Sequence, residues 1–223
     1  MDSILQDLRY ALRSLRRTPG FTFTVIAVMA LGIGVNAMIY TVVRGILFAD
    51  IPFPQPERIV QLEARQPDGV DNMSLPDLRD ILERSKTLRS VSVMLEWGPT
   101  VNIGDDTERF AGAIGSSGLA GALGVQPALG RWFTPDECQT DGNLTTVVMS
   151  DKVWRERFHA DREILGRPLQ INGRQRTIVG VMPAGFRFPE NADFYVPFAM
   201  NDTSGNGRGG RYHNGYARLA PGA

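Results

Sequence analysis

The stretch that decides the fold is FTFTVIAVMALGIGVNAMIYTVV, residues 21–43, in which none of the 23 residues is charged. An α-helix rises about 1.5 Å per residue, so this stretch spans roughly 35 Å and exceeds the ~30 Å hydrocarbon core of a bilayer. A helix that is long and apolar on every side is rare in a small soluble domain. The stretch therefore predicts a transmembrane helix, which we place at residues 20–48.

Two other interpretations of the apolar stretch have less support. A cleaved export signal has an apolar region of about 7–15 residues and then a small-x-small cleavage site. The stretch here is longer, and the nearest candidate site, Leu47-Phe48-Ala49, has leucine where a small residue is preferred. The third alternative is a buried helix of a soluble protein, for which the stretch is too apolar on all sides. A retained membrane anchor is favoured over both.

Charged residues differ between the two sides of the stretch. Behind it stands Arg44, and the next charged residues are Asp50 and Glu57. In front of it stand four arginines: Arg9, Arg13, Arg16 and Arg17. The positive-inside rule therefore places residues 1–19 in the cytoplasm. It places residues 49–223 on the outer side of the membrane.

The N-terminal residues 1–19 predict an amphipathic helix along the inner membrane surface. Apolar residues recur there at helical spacing, with a basic opposite face: Ile4, Leu8, Leu12 and Leu15. This pattern is typical of a helix that lies in the membrane interface. Thr18-Pro19-Gly20 is expected to break it before the chain enters the membrane.

Three positions inside the membrane helix are candidates for packing against other helices. Ala30 and Gly34 form a small-xxx-small pair, and Asn36 places an amide at depth. Small residues allow close approach of a second helix, and a buried amide requires a hydrogen-bond partner. The alternative is a single anchor that contains glycines, which are common in membrane helices. We favour packing.

From residue 49 onward the chain predicts a linker and a domain. Prolines alternate in IPFPQP, residues 51–56, so we expect an extended linker over residues 49–58. Residues 59–223 mix strands and helices without regular β-α-β alternation, which predicts a membrane-anchored α+β protein. Predicted strands are 59–63, 91–97, 100–103, 108–114, 145–149, 168–171, 174–182, 194–197 and 216–219. Predicted helices are 75–84, 117–123 and 151–158, and Asn172-Gly173 predicts a type I′ turn.

Nucleotide-binding motifs have no supporting context in this sequence. No G-x-x-x-x-G-K-[ST] occurs in the 223 residues, so they lack the usual phosphate-binding loop of an ATPase. GNGRGG, residues 205–210, matches G-x-G-x-x-G by its letters. That fingerprint requires a strand before it and a helix after it, and neither is predicted. We interpret residues 201–211 as a polar, glycine-rich loop.

The residue types that usually carry chemistry are few. His159, His213 and Cys138 do not have the spacing of metal ligands, and we interpret them as surface histidines and a structural or buried cysteine. We therefore predict no catalytic, cofactor-binding or metal-binding residue, and no enzyme activity. The 24 basic and 24 acidic residues balance, which gives no electrostatic footprint for nucleic acid.

Several segments in order resemble one family. They are ALRSLRRTPGFTFTVIAVMALGIGVNAMIYTVV (residues 11–43), FPQPERIVQLEA (53–64), LGVQPALGRWFTPDE (123–137), VVMSDKVWRERFHADREILGRPLQINGRQRTIVGVMPAGFRFP (147–189) and ARLAPG (217–222). This series resembles MacB-type ABC transporter permeases, especially the duplicated permeases abundant in acidobacteria. The resemblance covers nearly the whole chain and implies a MacB-like periplasmic core domain after the membrane helix.

The resemblance also implies a function. In such permeases a separate or fused ATPase acts in the cytoplasm, and the permease passes that motion to the periplasmic domain, which is called mechanotransmission. Two copies normally form a dimer around the first helices, which is consistent with packing at Ala30, Gly34 and Asn36. A family member continues into further membrane helices, so we expect this chain to be an N-terminal fragment.

Two other functions remain as alternatives. One is a stand-alone, membrane-anchored binding or scaffold module without transport activity. The other is an anchored hydrolase, which requires a catalytic cleft formed by residues that are distant in sequence.

Overall fold

The structure is a computed structural model that describes residues 13, 15–47, 53–67, 69–104, 106–139, 144–189, 191–201 and 207–222. It divides into an inner unit, Met1–Ile51, and an outer unit, Pro52–Ala223. The two units are described separately below.

The inner unit consists mainly of helix α1, Pro19–Leu47. Within the described residues, α1 alone is long and apolar enough to cross a bilayer, over Pro19–Thr41, and no side chain of this span is buried. Apolar side chains exposed on all sides do not fit a helix in the core of a soluble domain. The predicted helix, 20–48, begins one residue after the observed start at Pro19, and residue 48 lies outside the described residues.

The predicted break before this helix is observed at one residue. Arg13 and residues 15–17 are helical, Thr18 is not, and Pro19 and Gly20 already belong to α1. Proline is tolerated in the first turn of a helix because its missing N–H has no partner there. The Thr22 hydroxyl lies 2.8 Å from the carbonyl oxygen of Leu15 and 3.0 Å from that of Thr18, and so bonds across the break. Most of the predicted interfacial helix, residues 1–12 and 14, lies outside the described residues.

The outer unit is a mixed α+β domain. Its helices are α2 (Leu75–Arg84), α3 (Leu119–Leu123) and α4 (Asp151–Phe158). Its strands are β1 (Ile59–Leu62), β2 (Ala64–Gln66), β3 (Gly69–Asp71), β4 (Met73–Ser74), β5 (Leu88–Trp97), β6 (Thr100–Ile103), β7 (Asp106–Arg109), β8 (Gly112–Gly115), β9 (Leu129–Gly130), β10 (Thr146–Met149), β11 (Pro168–Ile171), β12 (Arg174–Val181), β13 (Phe194–Pro197) and β14 (Arg211–Leu219).

Most strands form one sheet in the order β1-β14-β5-β8-β13-β10-β12-β11-β6-β7. Only the pairs β10–β12 and β8–β13 are parallel. β5 continues into β6 across Gly98-Pro99, and β7 continues into β8 across Phe110-Ala111, so these four strands are one bent ribbon. From β8 of this ribbon the sheet continues through β13, β10, β12 and β11, and β11 then pairs with β6 of the same ribbon.

Both faces of the central strands are buried, because successive side chains point to opposite faces. Val147 and Met149 of β10 pack with Val153 of α4 in one cluster. Val148 packs on the other face with Leu119 and Leu123 of α3 and with Tyr195 of β13. A third cluster holds α2 against β5 and β14 through Leu75, Leu78, Val93 and Ala217.

Local signals in the sequence gave the correct boundaries at two helices and one turn. The Ser74 side chain caps α2 by accepting a hydrogen bond from the Asp77 N–H. In the same way, the Ser150 side chain caps α4 by accepting a hydrogen bond from the Val153 N–H. Asn172 and Gly173 both have positive φ, at 47° and 73°, as a type I′ turn between β11 and β12 requires. These three predictions are confirmed.

Other predictions differ from the structure. The predicted strand 216–219 is the second half of β14, which begins at Arg211. The predicted return strand 108–114 is interrupted between β7 and β8, and strands β2, β3, β4 and β9 were not predicted. Residues 53–58 of the predicted extended linker 49–58 are described, and they are not fully extended, because Pro56–Arg58 form a 3-10 turn. Phe53 packs against Phe188 with ring centroids 5.4 Å apart, so this segment belongs to the domain.

Candidate functional site: the membrane helix and the outer cavity

The predicted packing positions lie on more than one face of α1. Residues of an α-helix are about 100° apart, so Ala30 and Gly34 differ by about 40° around the axis. Asn36 is about 160° from Gly34 and therefore lies on nearly the opposite side, close to the line through Gly32. A Cβ added at Gly34 or Gly32 meets nothing within 4 Å in this chain. One flat helix contact therefore cannot use Gly34 and Asn36 together.

Polar side chains of α1 bond to the helix itself. The Asn36 amide Nδ2 donates to the Gly32 carbonyl oxygen at 2.9 Å, and the Thr24 and Thr41 hydroxyls donate to carbonyls four residues earlier. Such bonds reduce the cost of polar groups in lipid, because each donor has an acceptor. The amide donor of Asn36 thus has a partner inside its own helix, and its role in helix packing stays a prediction.

One cavity in the outer unit has a volume of about 660 Å³. It lies between the start of α4, from Ser150 to Glu156, and the segment from Pro183 to Asp193. Its charged lining has both signs: Asp151, Lys152, Glu156, Arg187 and Asp193. Burial raises the pKa of the half-buried Asp193 carboxyl, and Lys152 acts in the opposite direction. A cavity of this size and polarity has room for a small polar ligand.

The cysteine and the two histidines differ in burial. Cys138 is buried, which raises the pKa of its thiol to about 11 and keeps it protonated at neutral pH. His159 is exposed after α4, whereas His213 is 2% exposed. In the described part of the chain, no group of three or more His, Cys, Asp or Glu side chains is placed to hold a metal ion.

The interpretation of His213 as a surface residue is wrong. His213 belongs to β14, where alternate residues face inward, and its ring packs edge-on against Phe198 at 5.5 Å. Burial lowers the pKa of His213, because the charged imidazolium loses its solvation. The sequence contained a weak signal for this: a strand that runs from Arg211 alternates polar and small residues, and His213 falls on the small-residue face.

The glycine-rich match at residues 205–210 does not have the geometry of a dinucleotide site. Residues 202–206 lie outside the described residues, and strand β14 follows at Arg211 where the fingerprint requires a helix. Arg208 forms ion pairs with Asp77 and Asp80 of α2, so the described end of this loop is bound to a helix of its own domain.

The chain resembles solved structures of a MacB periplasmic region and of a permease domain. The periplasmic region of MacB from Actinobacillus actinomycetemcomitans matches with a TM-score of 0.56 and 16% identity, covering 74% of this chain and 75% of that one. A domain of a permease protein from Porphyromonas gingivalis matches with a TM-score of 0.58 and 20% identity, covering 77% and 79%. At these identities the likeness shows the fold of the outer unit.

Sequence comparisons give the family. The macrolide export ATP-binding/permease protein MacB of Chlorobium phaeobacteroides is 24% identical over 176 residues, which are 78% of this chain and 26% of that protein. The chain thus spans about a quarter of the length of this relative. The profile of the MacB-like periplasmic core domain matches residues 22–223, from inside α1 to the last residue. The chain therefore belongs to the MacB-like periplasmic core domain family.

Proposed function

We propose that this chain is part of the permease subunit of a MacB-like ABC transporter. The observation that carries the proposal is the extent of the family match, which includes α1 and the outer unit together. In this function α1 anchors the chain in the inner membrane, with residues 1–19 in the cytoplasm and residues 49–223 in the periplasm. The arginines before α1 support that orientation.

ATP hydrolysis is assigned to a separate ATPase subunit in the cytoplasm. These 223 residues contain no phosphate-binding loop, while the Chlorobium relative is by its name both ATP-binding and permease. The chain then transmits the motion of the ATPase through α1 to the outer unit, and is not itself an enzyme.

The partner assignment is tested by purification from the native host. The complete gene product, tagged at its C-terminus, is extracted from membranes in a mild detergent and analysed by mass spectrometry. We expect a P-loop ATPase subunit to copurify in a near-stoichiometric amount, whereas an unrelated tagged single-span protein does not retain it. Recovery of the permease without any ATPase would contradict the proposed function.

The proposal includes a homodimer in which the Ala30–Gly34 face of α1 contacts its copy. Replacing Gly34 with leucine places a bulky side chain on this face, so we expect self-association in a bacterial membrane two-hybrid assay to fall about tenfold, which is about 1.4 kcal/mol. Gly32→Leu is the matched control, since it makes the same change about 160° away and is expected to leave association nearly unchanged. Equal signals from the parent and Gly34→Leu would refute this contact.

A stand-alone binding module is the second candidate function. The cavity of about 660 Å³ with mixed charges favours it, because a transmission element has no need of a ligand site. Absence of an ATPase partner together with retention of a small ligand in purified protein would support this alternative.

A further inference from the structure

Two arginines connect the beginning of the outer unit to its end. Arg218, in the last strand, donates from Nη2 to the carbonyl oxygen of Pro54 at 3.0 Å. Arg58, which precedes the first strand, donates from Nη2 to the carbonyl oxygen of Leu219 at 2.5 Å. Each side chain therefore binds the backbone of the other segment. We call the two segments, residues 53–59 and 217–219, the entry–exit junction.

The junction also includes helix α3. The Nε of Arg218 donates to the Ala122 carbonyl oxygen at 3.0 Å, at the C-terminal end of α3 where a cation is favourable. Gly124 leaves room for the guanidinium, since a Cβ at this residue would lie 2.5 Å from Nη2 of Arg218. The guanidinium thus bridges the carbonyls of Pro54 and Ala122, and a single planar group binds the entry segment and α3 at once.

Stability of the fold alone does not account for these arginines. Arg218 is 6% exposed, and in the described chain its hydrogen-bond acceptors are carbonyls and not a carboxylate. Burial lowers its pKa, and Arg58 and Arg89 nearby lower the pKa further, with Glu57 acting in the opposite direction. Because a buried guanidinium that is hydrogen-bonded to neutral carbonyls is costly to desolvate, an apolar side chain of similar size at residue 218 would serve packing better.

The direction of the strands shows what the contacts resist. β1 and β14 are antiparallel, and Ile59 pairs with Arg218 at the end of the ladder that is nearer to the entry segment. A displacement that moves the entry segment away from the exit strand would act first on this pair, then on the next, and would open the ladder one residue at a time. The arginine contacts lie at the point where this opening begins.

We propose that Arg58 and Arg218 are positioning residues that form a clasp at the entry–exit junction, so that a displacement of the entry segment moves β14 and α3 with it. The consequence for transmission rests on the proposed function, because that function makes α1 the source of the displacement. The clasp itself rests on contacts within the outer unit.

Amide hydrogen–deuterium exchange of the full 223-residue chain in lipid nanodiscs tests the clasp. The variants are Arg218→Met and Arg58→Met, which replace each guanidinium by an apolar side chain of similar length. We expect exchange of the amides in residues 57–62 and 216–219 to accelerate tenfold or more, while β10 and β12 exchange as in the parent. Arg162→Met is the matched control, since Arg162 is exposed, takes no part in the bridging bonds and is not among the charges that act on Arg218. Its exchange is expected to stay within twofold of the parent.

The variant Arg218→Lys tests whether the clasp depends on the contact with two carbonyls or only on the positive charge. The lysine ammonium keeps the positive charge but lacks the planar guanidinium that reaches two carbonyls. We therefore expect amide exchange in Arg218→Lys to resemble that in Arg218→Met. Parent-like exchange in Arg218→Lys, or in both methionine variants, would overturn the clasp. Equal acceleration in β10 and β12 would also overturn it, since the arginines would then support the whole fold. None of these readouts requires an ATPase or a dimer, so failure of the proposed function would leave the result on the clasp unchanged.

Discussion

Replacing Gly130 with alanine is expected to lower the thermal unfolding midpoint of the outer unit by roughly 8–16 °C, for a loss of about 4 kcal/mol. Gly130 has a φ of +73°, where a residue with a Cβ is strained by about 1–2 kcal/mol. A Cβ there would also lie 2.2 Å from the carbonyl oxygen of Val179 and 3.1 Å from the Cα of Gly180. Both atoms belong to the backbone of β12, which cannot move without disturbing the sheet.

Gly173→Ala is the matched control for Gly130→Ala. Gly173 has the same φ, +73°, but a Cβ on it meets nothing within 4 Å, so only the backbone strain applies. We expect a loss of about 1 kcal/mol and a shift of roughly 2–4 °C. Circular dichroism of the full chain in detergent measures both midpoints. Equal shifts in the two variants would mean that the close packing of β9 on β12 does not determine the effect.

Gly130 also shows what the sequence could not reveal about the fold. The sequence predicts no strand or helix in the segment around it, residues 124–133, yet β9 pairs there with β12 about 50 residues later. Ser74, Ser150 and Asn172-Gly173 were predicted correctly, because a cap or a tight turn is determined by residues within three positions. The pairing of β11 with β6, which connects the sheet back to the bent ribbon, joins segments that are far apart in the chain. No local sequence pattern predicts such a pairing.

The candidate functional site was likewise predicted only in part from the sequence. The positions Ala30, Gly34 and Asn36 came from the sequence, and helix geometry then separates them into two faces of α1. The entry–exit junction was missed, since Arg58 and Leu219 are 161 positions apart. In a sequence, Arg58 and Arg218 have the pattern of ordinary solvated charges, and only the pairing of β1 with β14 brings them together.

A periplasmic reporter fused behind residue 223 is expected to be active, and neutralising the N-terminal arginines is expected to reduce its activity about tenfold. The variant replaces four arginines by asparagine: Arg9, Arg13, Arg16 and Arg17. Arginines within about 15–20 residues of a membrane helix hold that side in the cytoplasm, because moving them across the bilayer is costly. Without them, the arginines that remain within about 15 residues of the apolar stretch, Arg44 and Arg58, both follow it and favour the opposite orientation. Alkaline phosphatase, which is active outside the cytoplasm, and green fluorescent protein, which reports the inside, are compared in intact cells.

A control with the same number of changes separates orientation from charge in general. It replaces four arginines of the outer unit by asparagine: Arg155, Arg157, Arg162 and Arg167. They lie more than 100 positions after α1, beyond the range over which the rule acts, so phosphatase activity is expected to stay at the level of the parent. If the unmodified fusion were fluorescent and lacked phosphatase activity, the outer unit would be in the cytoplasm. An entry segment there would face no periplasm to which α1 could transmit motion, and the transporter function would be excluded together with the orientation.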